Sequence, residues 1–179
     1  MQSIQTIARP LLPRTGQTNS YANGDDAWFQ AGLPVATRFV DNQNGTVTDR
    51  ATGLQWVKDP SQLGGAFGTP GTPTAMTWAD ALANCLALEY AGFTDWRLPN
   101  WFELACLYDL GKTTAPMIDA AFACETGFYW SGSPRAANPA GGAYYVNFSG
   151  SYVSCLYSSP ASTYYVRPVR GGRINAHWA

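Results

Sequence analysis

Covalent chemistry has few residues to draw on in this chain. Its 179 residues include one histidine, His177, near the end, and four cysteines, Cys85, Cys106, Cys124 and Cys155. One imidazole excludes multi-histidine metal sites and argues against Ser-His-Asp or Cys-His catalysis. The cysteine spacings fit neither a zinc knuckle nor a Cys-x-x-Cys redox motif. Four cysteines allow three pairings, among which spacing does not choose, and they read as buried thiols or one structural disulfide. Asp41-Asn42-Gln43-Asn44-Gly45 superficially suggests a calcium loop. It lacks alternating oxygen ligands and a distal glutamate, so a hairpin turn is the better reading. Asp95-Trp96-Arg97-Leu98-Pro99-Asn100 offers calcium only a lone aspartate. Its structural reading puts Trp96 and Leu98 in the core, lets Asp95 and Arg97 tie loops, and makes Asn100 a helix cap. No catalytic residue, metal ligand or cofactor is read, and the chain is not expected to be an enzyme.

Recognition chemistry is better supplied. Residues 131–170 contain Arg135, Arg167 and Arg170 as their charges and no Lys, Glu, Asp, Gln, Met or Trp, while Tyr, Ser, Gly, Ala and Asn abound. Tyrosine gives a large amphipathic contact at small entropic cost, and Ser, Gly and Asn give adaptable hydrogen bonds, as in antibody paratopes. Arg135, Tyr145, Asn147, Ser149, Ser151, Tyr152, Ser154, Leu156, Tyr157 and Ser158 are the expected exposed ligand-binding face. Strand alternation then turns Val146, Phe148, Val153 and Val166 inward.

A face like this needs a scaffold, and the composition permits one. Apolar residues make up 46%, enough for a sizeable core, and the length suits one domain. Eleven basic against 12 acidic residues leave a net charge of −1, with no electrostatic footprint for nucleic acid or anionic lipid. No stretch reaches the roughly 18 apolar residues that would cross a bilayer. The start lacks the basic and apolar regions of a secretory signal, so the expectation is either a removed signal or export within an assembly such as a virus particle.

Residues 1–35 read as an irregular lead-in packing through Trp28, Phe29 and Leu33, 36–172 as the domain, and 173–179 as a tail. Thr37–Asp41 and Thr46–Asp49 flank Asn44-Gly45 as a hairpin, and Gly53–Val57 comes next as a strand. Leu63–Pro73 is a loop. A helix is expected over Thr77–Ala91, capped by Thr77 with Asp80 and stopped at Gly92. Another is expected over Trp101–Leu110, with Asn100 and Glu103 as a capping box and Gly111 as the stop. Later strands are expected at Tyr144–Phe148 and Tyr152–Leu156, forming a hairpin, and at Tyr164–Val169, where Pro168 implies an edge or bulge. Strands, two helices, then strands make an α+β domain.

Arg38-Phe39-Val40-Asp41-Asn42, Asn44-Gly45-Thr46-Val47-Thr48-Asp49 and Ala51-Thr52-Gly53-Leu54-Gln55-Trp56 resemble the opening of the Lcl C-terminal-like domain family. Similarity continues through Thr77-Trp78-Ala79-Asp80-Ala81-Leu82, Gly92 to Asn100 with Glu103-Leu104, Tyr129-Trp130-Ser131, Val146-Asn147-Phe148 and Tyr165 to Gly172. The resemblance implies a C-type lectin fold: two helices on small twisted antiparallel sheets, with the termini close together. Several proteins of that fold are diversified by retroelements near their C-terminus, where randomised codons keep a pyrimidine third base. Such codons cannot encode Lys, Glu, Gln, Met or Trp, which form roughly a sixth of the chain outside residues 131–170 and are missing within it. The expected function is therefore binding of a protein or glycan on a target surface, with the chain displayed on a virion or cell. A fixed-ligand bacterial adhesin is the alternative, followed by a formylglycine-generating-type oxidase using Cys155. Oligomeric state is left open.

Overall fold

Short apolar runs separated by turn residues can build only small sheets. The structure, a computed structural model, describes residues 12–150 and 156–172. It is α+β, with a few short helices and small antiparallel sheets.

Before the first strand stand two single helical turns, α1 (Asp26–Phe29) and α2 (Val35–Arg38). The expected anchors of the lead-in are corrected here. Trp28 and Phe29 are 59% and 69% exposed, and the buried residue of α1 is Ala27. One helical turn has room for a single inward position. Leu33 is half-buried and exchanges backbone bonds with Leu12 and Arg14. Thr37 and Arg38, expected in a strand, finish α2 instead. That turn carries the Arg38 side chain inward to Asp49.

The first sheet has the order β1 (Phe39–Asp41), β2 (Thr46–Asp49), β3 (Gln55–Val57) and then the final strand, Val169–Arg170, all antiparallel. The hairpin pairs Asp41 with Val47, so its loop is longer than a two-residue Asn-Gly turn. Asn44 Oδ1 accepts from the Thr46 N–H and hydroxyl, which makes Asn44 a side-chain cap of the reversal. Gly45 has φ 83°, and a Cβ there would lie 1.9 Å from Tyr90 Oη. The expected loop at 63–73 contains 3-10 turns and a minimal hairpin, β4 (Gly68–Thr69) with β5 (Thr72–Pro73).

Helix α3 (Trp78–Leu86) starts where expected, with Thr77 accepting from the Asp80 N–H. It stops before Ala91 because Leu88 is drawn into the core. Tyr90 and Phe93 then exchange backbone bonds around Ala91 and Gly92, so Gly92 makes a reversal and not a helix stop. Helix α4 (Trp101–Ala105) has the complete Asn100–Glu103 capping box. It ends five residues short of Leu110: Leu107 and Tyr108 are buried, and Tyr108 bridges to Ile118.

The second sheet has the order β6 (Phe128–Pro134), β7 (Ala143–Asn147) and β8 (Tyr157–Ser158). Most of the expected strand Tyr152–Leu156 lies outside the described residues. Tyr164 and Tyr165 make bridges to Met76 and Tyr129, and only β9 (Val169–Arg170) is a strand, at the edge of the first sheet.

The β6–β7 pair has a core on each side. Tyr129, Val146 and Phe148 pack with α4 residue Leu104, with Tyr108, and with Val47 and Trp56 of the first sheet. Trp130, Ala143 and Tyr145 pack with α3 residues Ala81 and Cys85, and with Trp96 and Leu98. As expected, Val146, Phe148 and Val166 point inward; Val153 lies outside the described residues.

Candidate functional site

A bulge in β6 between Trp130 and Pro134 positions the chain beyond it. Here Ser131 Oγ donates to the Tyr144 carbonyl, and the Ser131 carbonyl accepts from Trp78 Nε1. Gly132 N–H donates to the Pro99 carbonyl, and Ser133 Oγ accepts from the Trp101 N–H. The bulge is thereby tied to the starts of both helices, α3 and α4. The chain emerging from it carries Arg135, whose N–H donates to the Gly142 carbonyl.

Across the sheet, Tyr144 faces Tyr157 in register, with ring centroids 6.3 Å apart and nearly perpendicular. The Arg135 guanidinium lies 4.0 Å over the Tyr157 ring. Gly142 keeps this stack possible, since a Cβ there would stand 3.0 Å from Tyr157 Cδ2. Next along β8, Ser158 Oγ accepts from Tyr164 Oη and shares a 3.0 Å bond with Ser162 Oγ. Leu156 is 55% and Tyr157 45% exposed, while Arg135 and Ser158 are half-buried. Thus four expected residues, Arg135, Leu156, Tyr157 and Ser158, gather at the β8 edge. Tyr144, Ser162 and Tyr164 join them. Their place was not readable in sequence, because it depends on the β7–β8 register.

Two expected face residues are corrected. Tyr145 and Asn147 are buried, 7% and 8% exposed. Alternation sends one set of side chains to water only where a sheet has a wet face, and β7 has core on both. Tyr145 packs against Phe128 and Tyr164. Asn147 Oδ1 accepts from the Ser149 N–H and hydroxyl, capping the turn after β7. Ser149 is exposed but sits at the other end of β7. Ser151, Tyr152, Ser154 and Cys155 lie outside the described residues.

The structural reading of Asp95–Asn100 stands. Trp96 and Leu98 are buried, Arg170 donates to Asp95, and Arg97 makes a two-pronged pair with Glu103 and also reaches the Gly171 carbonyl. Asp41 pairs with Lys58 beside the hairpin turn. Among the described residues, Cys85, Cys106 and Cys124 are free thiols, and no three His, Cys, Asp or Glu side chains gather as a metal site. Burial pushes the Cys85 thiol up to about 12 and raises that of Cys106. Sequence reading missed a cleft of about 410 Å³ between the lead-in and the domain, lined by Arg14, Gln17, Gln30, Asp109 and Asp119 among others. Its arginine is already spent: Arg14 donates to the Gly32 carbonyl and to Gln30 Oε1.

The family model of the Lcl C-terminal domain matches residues 45–170. The chain belongs to that family. Within this Lcl C-terminal domain the matched stretch runs from Gly45 in the first turn to Arg170 in β9, and so includes both helices α3 and α4 and the β8 edge. No curated protein matches the chain. Among the described residues, no helix is long and apolar enough to cross a membrane.

Proposed function

We propose that this Lcl C-terminal domain is a recognition protein with a C-type lectin-like scaffold, which binds a protein or glycan ligand through the β8 edge and the segment that precedes it. Three features support the scaffold reading. The last strand closes the sheet that the first strands open, two short helices pack beside small antiparallel sheets, and long irregular segments connect them. The observation that carries the binding reading is the stack of half-buried Arg135 on exposed Tyr157. It stands in a window free of Lys, Glu, Asp, Gln, Met and Trp. The composition also supports retroelement diversification, with display on a virion or cell surface. No bond is made or broken in this function.

A library randomised at Ser149, Ser151, Tyr152, Ser154, Leu156, Tyr157 and Ser158 tests the reading. If these positions form a tolerant face, most members are expected to fold with stability within about 0.5 kcal/mol per substitution of the parent. Widespread unfolding would refute a tolerant binding platform. A near-identical template repeat and a reverse-transcriptase gene beside the coding sequence are expected if the face is diversified. Their absence leaves the fixed-ligand adhesin.

A further inference from the structure

Arginines 135, 167 and 170 are the charges of residues 131–170, and two of them are committed. Arg167 is fully buried, donating to the Val57, Lys58 and Ala123 carbonyls. Arg170 pairs with Asp95 and donates to Gln55. Arg135 differs. Among the described residues its guanidinium has neither a carboxylate partner nor a hydrogen-bond acceptor, and it rests on the Tyr157 ring. Stacking occupies the flat face of a guanidinium and leaves the N–H groups around its rim unclaimed. A rigid ring beneath also holds the fork in place, so less entropy is lost when an acceptor arrives.

We propose that Arg135 is the anchor for a carboxylate, Asp or Glu, on a protein partner. The inference rests on the β8 edge being the binding face and adds the chemistry of the group that binds there. Charge complementarity selects the acid, because no acidic residue lies in residues 131–170 to compete for the fork. Leu156 selects a protein over a glycan. This exposed aliphatic side chain, which precedes Tyr157 on the same edge, gains by covering apolar atoms, which a neighbouring protein side chain offers and a hydroxyl-covered sugar does not. Arg and Tyr packed together are also the residue types that dominate protein-binding hot spots.

The test uses the full chain and a displayed library of random peptides, with an oligogalacturonate as the acidic-sugar probe. Selected peptides are expected to carry Asp or Glu next to an aliphatic residue. Their binding is expected to weaken about tenfold or more with Arg135→Ala and Arg135→Gln, and on exchange of the acid for its amide. Thermal melts of both variants are expected to match the parent, which separates lost contact from lost fold. Peptides that depend on Leu156 and Tyr157 but bind Arg135→Gln undiminished would overturn the anchor and leave the binding face standing. Peptides indifferent to all three positions would overturn the face itself. Arg135-dependent capture of oligogalacturonate, with no such peptide recovered, would overturn the protein partner.

Discussion

Asp49 shows how much one side chain can organise here. Its two oxygens accept from Arg38 at 2.9 and 2.7 Å, and from the Ala51 N–H and the Thr52 hydroxyl. Arg38 uses its remaining arm on the Cys106 carbonyl, so the pair ties the first hairpin to the end of α4. Both side chains are buried. Removing one partner strands the other charge, so Asp49→Ala is expected to cost about 3–5 kcal/mol in a urea titration. Cys85 presents the opposite case, a group silenced by its surroundings. With its thiol pushed up to about 12 by burial, it is expected to resist iodoacetamide at neutral pH while the native chain's less buried Cys124 reacts. Mass mapping of the labelled thiols decides this.

At the scale of elements, starts were easier to read than ends. Thr77, Asn100 and Glu103 announce their helices because a cap is a local bond between residues three apart. Asn100→Ala is therefore expected to cost about 1 kcal/mol in the same titration. Helix ends depend on distant partners. Nothing local in Leu88 or Tyr108 says that each must leave its helix to fill a core. The β8 edge was half legible for a related reason. Residue types marked Arg135, Leu156, Tyr157 and Ser158, but the burial of Tyr145 and Asn147 arises from β7 being covered twice.

The lead-in turn has its own pH dependence. Asp25 accepts first from the Tyr21 N–H, and also from Trp28 and Ala22, which together outweigh desolvation and hold its carboxyl below the ordinary range. A depressed carboxyl contributes stability above its unfolded value, and that contribution is lost as pH falls through the folded one. Amide exchange at Tyr21 and Trp28 is thus expected to rise as the solution is acidified below pH ~4, and Asp25→Asn to flatten that rise.

For the whole molecule, β6 and β7 act as a party wall between two cores. Trp130 is fully buried on one side of it, with its Nε1–H on the Met76 carbonyl. Trp130→Ala is expected to cost about 3–5 kcal/mol and to remove one cooperative transition rather than split it, as judged by calorimetry. On the proposed reading, the exposed edge varies while its neighbours are held from both sides.

The four-stranded sheet also sets a timetable. Arg170 reaches Gln55 across 115 positions, and without β9 the β3 edge stays open. During synthesis this sheet therefore cannot close until Val169 and Arg170 have been translated. Products cut short before β9 would arrive with that seam open and become substrates for proteases.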